Sequence, residues 1–208
     1  MQHCPIFIFQ FMPNITTIQK SVSSILEGLS PHLTYHTLSH TLDVAEQCIV
    51  IATAEGITDK QILLELEIAA LYHDAGFLYA YAGHEAVSCT IAREQLPGFG
   101  VTENAIDNIC ALIMATKVPQ LPGNKLQQII CDADLDYFGR DDFFDISNNL
   151  QKEVLAYKIV GSKKEWEQRQ LQFLTAHSYF TNTARQKRDP IKQLHIKKIM
   201  SGHNGVTT

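Results

Sequence analysis

His36 and His40 stand four residues apart, a spacing that on a helix projects both imidazoles from one face about one turn apart. His73 and Asp74 adjoin at the end of an otherwise apolar run, where an imidazole and a carboxylate both require a partner. Asp134 closes another apolar run in the same acidic manner. Imidazole nitrogens and carboxylate oxygens brought together from three helices would converge on one divalent cation. Two His and two Asp leave coordination positions open to water, which suits a catalytic rather than a closed structural site. Such an ion supplies an attacking hydroxide and polarises a phosphoryl oxygen, so no protein nucleophile is needed. Each element alone is common, because a single buried His is more often a hydrogen-bonded core residue than a ligand. The order carries more: His40, then His73-Asp74 after 33 residues, then Asp134 after 60 more.

The elements that must hold these groups read as helices, since apolar spacing of period 3.6 recurs along most of the chain. Ile15, Ile18, Val22, Ile25, Leu26 and Leu29 mark a first helix entered through Asn14. A second runs from about Thr37 to Glu55 and stops at Gly56. Thr58-Asp59-Lys60-Gln61 fits a capping box for a third, which carries Ile62 to Leu71 into His73-Asp74 before Gly76 disfavours continuation. Further helices are expected at 84–96, from Thr102 to the Pro119–Pro122 loop, from Leu126 into Asp132–Asp136, at 142–158 and 162–182, with a weaker one at 190–199. Seven to nine helices with short loops predict an all-α globular domain over residues 14–200. Its metal core spans 30–140 and its basic helices 142–200, with an N-terminal extension at 1–13 and a frayed tail at 201–208. Either Met1 or Met12 serves as a natural start.

Composition sets the class. The chain has 208 residues, 45% apolar and 19% charged, which argues against disorder. No apolar run reaches the length of about 18 residues that spans a bilayer. The run Pro5-Ile6-Phe7-Ile8-Phe9 is too short for a span and lacks the flanks of a secretory signal. Cys4, Cys48, Cys89, Cys110 and Cys131 form no Cys-x-x-Cys pair, and three of them sit among apolar residues at helical spacing. That is the usage of free thiols in a reducing compartment, so a cytoplasmic protein without disulfides is expected. The net charge of −5 divides into −12 over residues 1–150 and +7 over 151–208. The basic third reads first as a solvated surface balancing an acidic body, and second as a face for phosphate or nucleic acid.

Tyr35-His36-Thr37-Leu38-Ser39-His40-Thr41-Leu42-Asp43-Val44, Ala70-Leu71-Tyr72-His73-Asp74-Ala75-Gly76 and Asp132-Ala133-Asp134-Leu135-Asp136 together resemble the signature of the HD-domain superfamily of metal-dependent phosphohydrolases. The resemblance covers residues 30–140 and extends through His84-Glu85-Ala86-Val87-Ser88 and Thr116-Lys117 to Trp166 and Phe173–Thr181. That extension is similar to a group of small bacterial HD phosphohydrolases. The signature implies His40, His73, Asp74 and Asp134 as metal ligands. His36 matches the histidine that protonates the leaving oxygen in cyclic nucleotide phosphodiesterases, with hydrogen bonding to a ligand as its competing role. Binuclear members place two more histidines between the doublet and the last Asp. Here His84 matches one, and Thr116 stands where the second would be, so one divalent metal (Mn, Mg, Fe, Ni, Co or Zn) is expected. Glu85 would orient the attacking water; His84 and Lys117 would face the substrate. His177 and Trp166 are read as packing the C-terminal helices onto the core.

The function these readings favour is hydrolysis of a phosphate ester of a nucleotide or related small molecule. A nucleotide-sensing module that keeps the metal site without turnover is the alternative. Nucleic-acid binding through the basic third is weaker, because no helix-turn-helix, zinc motif or aromatic interleaving accompanies it. No membrane partner is expected, and a homodimer is a further option.

Overall fold

The computed structural model describes residues 13–202. Cys4, both candidate starts and almost all of the expected extension and tail lie outside the described residues. Within them nine α-helices and no strand occur: α1 (Ile15–Leu26), α2 (Leu38–Ala54), α3 (Lys60–Tyr72), α4 (His84–Gln95), α5 (Glu103–Ala115), α6 (Lys125–Asp134), α7 (Phe143–Ala156), α8 (Lys163–Ala176) and α9 (Asn182–Met200).

Side-chain caps fix most of the starts. Asn14, Thr37, Asp59, Thr102, Asn124, Ser162 and Thr181 each accept from a backbone N–H in the first turn of the helix that follows. Each such cap contributes about 1 kcal/mol. Four corrections to the sequence reading come from these ends. The third helix is capped by Asp59, whose carboxylate takes the N–H groups of Gln61 and Ile62, and not by a Thr58 capping box. His36 precedes α2 instead of lying on it, because extended Thr37 starts the helix after it. The expected helix at 162–182 stops at Ala176, since the Asp132 carboxylate binds the N–H groups of Phe180 and Thr181 at 2.9 and 2.7 Å and holds that segment extended. The last helix is longer than read and runs through Pro190, whose missing N–H costs it one internal bond. Asp142, at the start of α7, makes no side-chain cap; its carboxylate instead takes the Arg140 guanidinium.

Two apolar clusters form. The larger joins α1–α6 through residues such as Ile18, Val22, Cys48, Leu66, Ile109, Ile113 and Ile129. The smaller gathers Tyr35, Leu135, Phe138, Phe143, Leu174, Tyr179 and Ile196 beneath the C-terminal helices. Fully burying each large side chain contributes about 1.5–3 kcal/mol.

Gly76 lies where the 3-10 turn Ala75–Leu78 meets α4. A Cβ there would sit 2.0 Å from the His84 carbonyl oxygen and 2.9 Å from the Ser88 N, both backbone atoms that cannot step aside. The Gly76 N–H also donates to Ser88 Oγ at 2.8 Å, and that hydroxyl donates to the His73 carbonyl at 2.7 Å. Gly76→Ala is therefore expected to destabilise the fold by about 3 kcal/mol, read as a lowered urea midpoint.

His177 packs where the sequence reading put it, edge-on to Phe138 and Tyr179. Burial, reinforced by the Lys192 ammonium, lowers its pKa to about 4. The unfolded chain, with an ordinary imidazole near 6.5, binds a proton between those two values while the folded chain does not. Stability is therefore expected to fall as pH drops from about 6.5 to about 4, by at most about 3 kcal/mol from this group. Urea midpoints at pH 7 and pH 5 check this, and His177→Phe should flatten the difference.

Candidate metal centre and its cavity

His40 lies in the first turn of α2, His73 caps α3, Asp74 follows it, and Asp134 ends α6. His40 Nε2 is 3.4 Å from Asp74 Oδ2 and 3.4 Å from Asp134 Oδ1. His73 Nε2 is 3.1 and 3.6 Å from the same two oxygens. Donor atoms around one ion at about 2.1 Å stand at comparable separations from each other. Ligand atoms of His40, His73 and Asp74 all lie within 4.8 Å of one another.

The residues fit a cation on three further grounds. His40 Nε2, His73 Nε2 and Asp74 Oδ2 are buried without a hydrogen-bond partner; leaving such groups unpaired costs about 1–3 kcal/mol each. His73 Nδ1 lies 2.7 Å from the Ala70 carbonyl, which only accepts, so the proton sits on Nδ1 and the Nε2 lone pair faces the site. Gln120 Nε2 donates to Asp134 Oδ2 at 3.3 Å, orienting Oδ1 inward. Burial alone would raise both carboxyls, but the imidazoles hold Asp134 at about 2 and Asp74 well below its usual value. The carboxylates in turn raise His40 and His73 against the opposing effect of burial.

A cavity of about 580 Å³ opens over Asp74 and Asp134. His84 and Glu85, at the start of α4, line it, as do Thr116 and Lys117 at the end of α5. His84 Nε2 stands 3.4 Å from Asp74 Oδ1 and 3.7 Å from Glu85 Oε1. Glu85 is buried, and its Oε2 has no hydrogen-bond partner. Thr116 spends its hydroxyl proton on the Ile113 carbonyl at 2.8 Å. Trp166 lines the cavity, with Leu150, Val154, Ile159 and Phe173, so it does not belong wholly to core packing as the sequence reading had it.

His36 reaches this cavity from the loop before α2. Its Nδ1 bonds Glu153 Oε1, and Glu153 Oε2 accepts the N–H groups of Tyr35 and His36 at 2.8 and 3.1 Å. The Tyr81 hydroxyl donates to Oε1 at 3.1 Å. Burial would raise the Glu153 carboxyl; the His36 ring and the two backbone donors outweigh it and lower the pKa. Phe77 stacks between His36 and His84, with ring centroids 4.1 and 3.9 Å away. The sequence reading missed Glu153, Phe77 and Gln120. Glu153 alone left a trace, as an acidic residue on the apolar face of a helix in the basic third.

No protein-family model matches the chain, and no curated protein sequence matches it significantly. Solved structures do match. A predicted HD superfamily hydrolase from an uncultured Thermotogales bacterium superposes with a TM-score of 0.62 at 20% identity, covering 94% of each chain. Bacillus subtilis YpgQ, crystallised in complex with ADP, gives a TM-score of 0.64 at 17% identity over 93% of this chain and 98% of that one. The Lin1889 protein of Listeria innocua gives 0.59 at 19% identity over 90% and 96%. The chain thus has the HD-domain fold, and the His, His-Asp and Asp positions of its sequence meet where that fold brings α2, α3 and α6 together.

Proposed function

We propose that the chain is a metal-dependent phosphohydrolase acting on a phosphate ester of a nucleotide or related small molecule. The observation that carries this reading is the meeting of His40, His73, Asp74 and Asp134 beneath a cavity, with three of their donor atoms buried and partnerless. These four residues would hold a divalent cation, which when bound supplies Lewis acidity toward a phosphoryl oxygen and a water of lowered pKa.

The remaining roles belong to the chain's own groups. Glu153 accepts the Nδ1–H of His36, so a second proton on the ring sits on Nε2, the atom that would present it to the leaving oxygen. Glu85 orients water through its partnerless Oε2. His84 contacts the substrate beside Asp74, and Lys117 supplies a point charge for phosphate. Trp166 and Phe173, with Leu150, Val154 and Ile159, form a wall suited to a flat apolar group such as a base. The ADP complex of YpgQ, which shares the fold, favours a nucleotide over other esters. Trp166→Ala is expected to raise KM about tenfold while leaving kcat nearly unchanged, since stacking contributes about 1–3 kcal/mol to binding.

The test is a panel of phosphomonoesters, diesters and nucleoside mono-, di- and triphosphates, assayed with Mn, Mg, Fe, Ni, Co and Zn. Metal-dependent phosphate release supports the proposal. Absence of turnover with every metal, in protein shown to be folded, overturns it. A nucleotide that raises the melting temperature without being consumed would instead mark a sensing module.

A further inference from the structure

The two carboxylates of the metal centre are tied differently. Asp74 turns Oδ2 to the imidazoles of His40 and His73 and leaves Oδ1 3.4 Å from His84 Nε2. Asp134 turns Oδ1 to the same imidazoles, 3.4 Å from His40 Nε2 and 3.6 Å from His73 Nε2. Its Oδ2 accepts from Gln120 Nε2 at 3.3 Å, the one donor that oxygen has among the described residues. Gln120 lies in the loop between α5 and α6, and its amide has a fixed sense. Nε2 faces the Asp134 carboxylate and, at 3.5 Å, the Cys131 carbonyl, both of which only accept. The NH2 end therefore points to them, and Oε1 is left buried with no hydrogen-bond partner. Buried polar atoms are normally paired, and Gln120 stands between exposed Pro119 and Leu121, where an outward turn would give Oε1 water. The contact with Asp134 is kept against that cost.

We infer that Gln120 sets which divalent cation the centre prefers, by confining Asp134 to a single ligating oxygen. The inference rests on the metal centre of His40, His73, Asp74 and Asp134. With Oδ2 tied to the amide, Asp134 offers Oδ1 alone. Two imidazole nitrogens and one oxygen from each carboxylate then make a four-donor set, which suits Zn. Without the amide, Asp134 is free to turn about its Cβ–Cγ bond and bring both oxygens to the ion. The extra oxygen raises the coordination number, and oxygen-rich six-coordinate sets suit Mn. Gln120 does not line the cavity, so it meets no substrate. It acts through Asp134 and is a positioning residue, of the kind that orients a ligand from behind.

The test compares the full chain with Gln120→Met, which keeps the length of the side chain but has no donor. Both are titrated calorimetrically with Zn and with Mn. Zn affinity is expected to fall about tenfold, the lower end of the usual loss when a ligand's hydrogen-bond partner is removed, while Mn affinity changes by less than about threefold. Cobalt reports the coordination change directly, since its visible bands weaken as the coordination number rises from four or five to six. The Co-loaded variant should therefore absorb more weakly than the Co-loaded wild-type chain. Gln120→Ala should reproduce both changes. Leu121→Ala, in the same loop at a residue that is 84% exposed, should reproduce neither. Zn and Mn affinities that fall together, or that both hold, overturn the inference and leave the metal centre standing. A folded wild-type chain that binds neither ion overturns the metal centre itself, and the inference with it.

Discussion

Asp74→Ala is expected to remove metal and turnover together. Its Oδ2 is a partnerless buried oxygen 3.1 Å from His73 Nε2 and 3.4 Å from His40 Nε2, and its Oδ1 faces His84. The substitution deletes a ligand and the negative charge that offsets the cation at the same stroke. Loss of a group that merely supports a ligand costs about 10–100-fold in metal affinity, so loss of the ligand itself should exceed about 100-fold. Calorimetric titration with Mn or Zn and initial rates on the best substrate measure both quantities. Unchanged affinity in a variant with wild-type circular dichroism would remove Asp74 from the centre.

The second large effect belongs to the dyad of His36 and Glu153. His36→Ala should keep the metal and slow turnover by about 10²–10⁴-fold, the usual contribution of a positioned proton donor. Complete loss of metal in that variant would show that His36 acts on the ligands and not on the leaving oxygen. Glu153 touches neither substrate nor ligand in this arrangement and acts by positioning. Glu153→Gln keeps the shape of the side chain, yet its amide can offer Nδ1 either a donor or an acceptor. The tautomer of His36 is then no longer enforced, and kcat should fall by at least about tenfold with KM little altered. An equal effect on metal content would mark a structural role instead.

The doublet His73-Asp74 and the acidic end of α6 were legible because each places a polar group where helical periodicity calls for an apolar one. His36 was legible for the wrong reason. Its spacing from His40 predicted a shared helix face, but Thr37 begins the helix after it, and the loop brings the two rings to 6.0 Å by another route. Glu153 could not be read as its partner, because 117 residues separate them and only the packing of α7 on the loop joins them. Asp132 shows the same limit. It lies in the run that holds Asp134, two residues away, yet it anchors the backbone at Phe180 and Thr181 and breaks the long helix expected there. Phe77 carried no signal at all, since an apolar residue after the doublet looks like any other core residue.

The most direct measurement is elemental analysis of the full chain purified without chelator or histidine tag. Four converging ligands of this kind should retain about one equivalent of a divalent metal per chain. A folded chain that carries none, and still retains none after incubation with Mn, Fe, Co, Ni or Zn followed by desalting, would contradict a metal centre at His40, His73, Asp74 and Asp134.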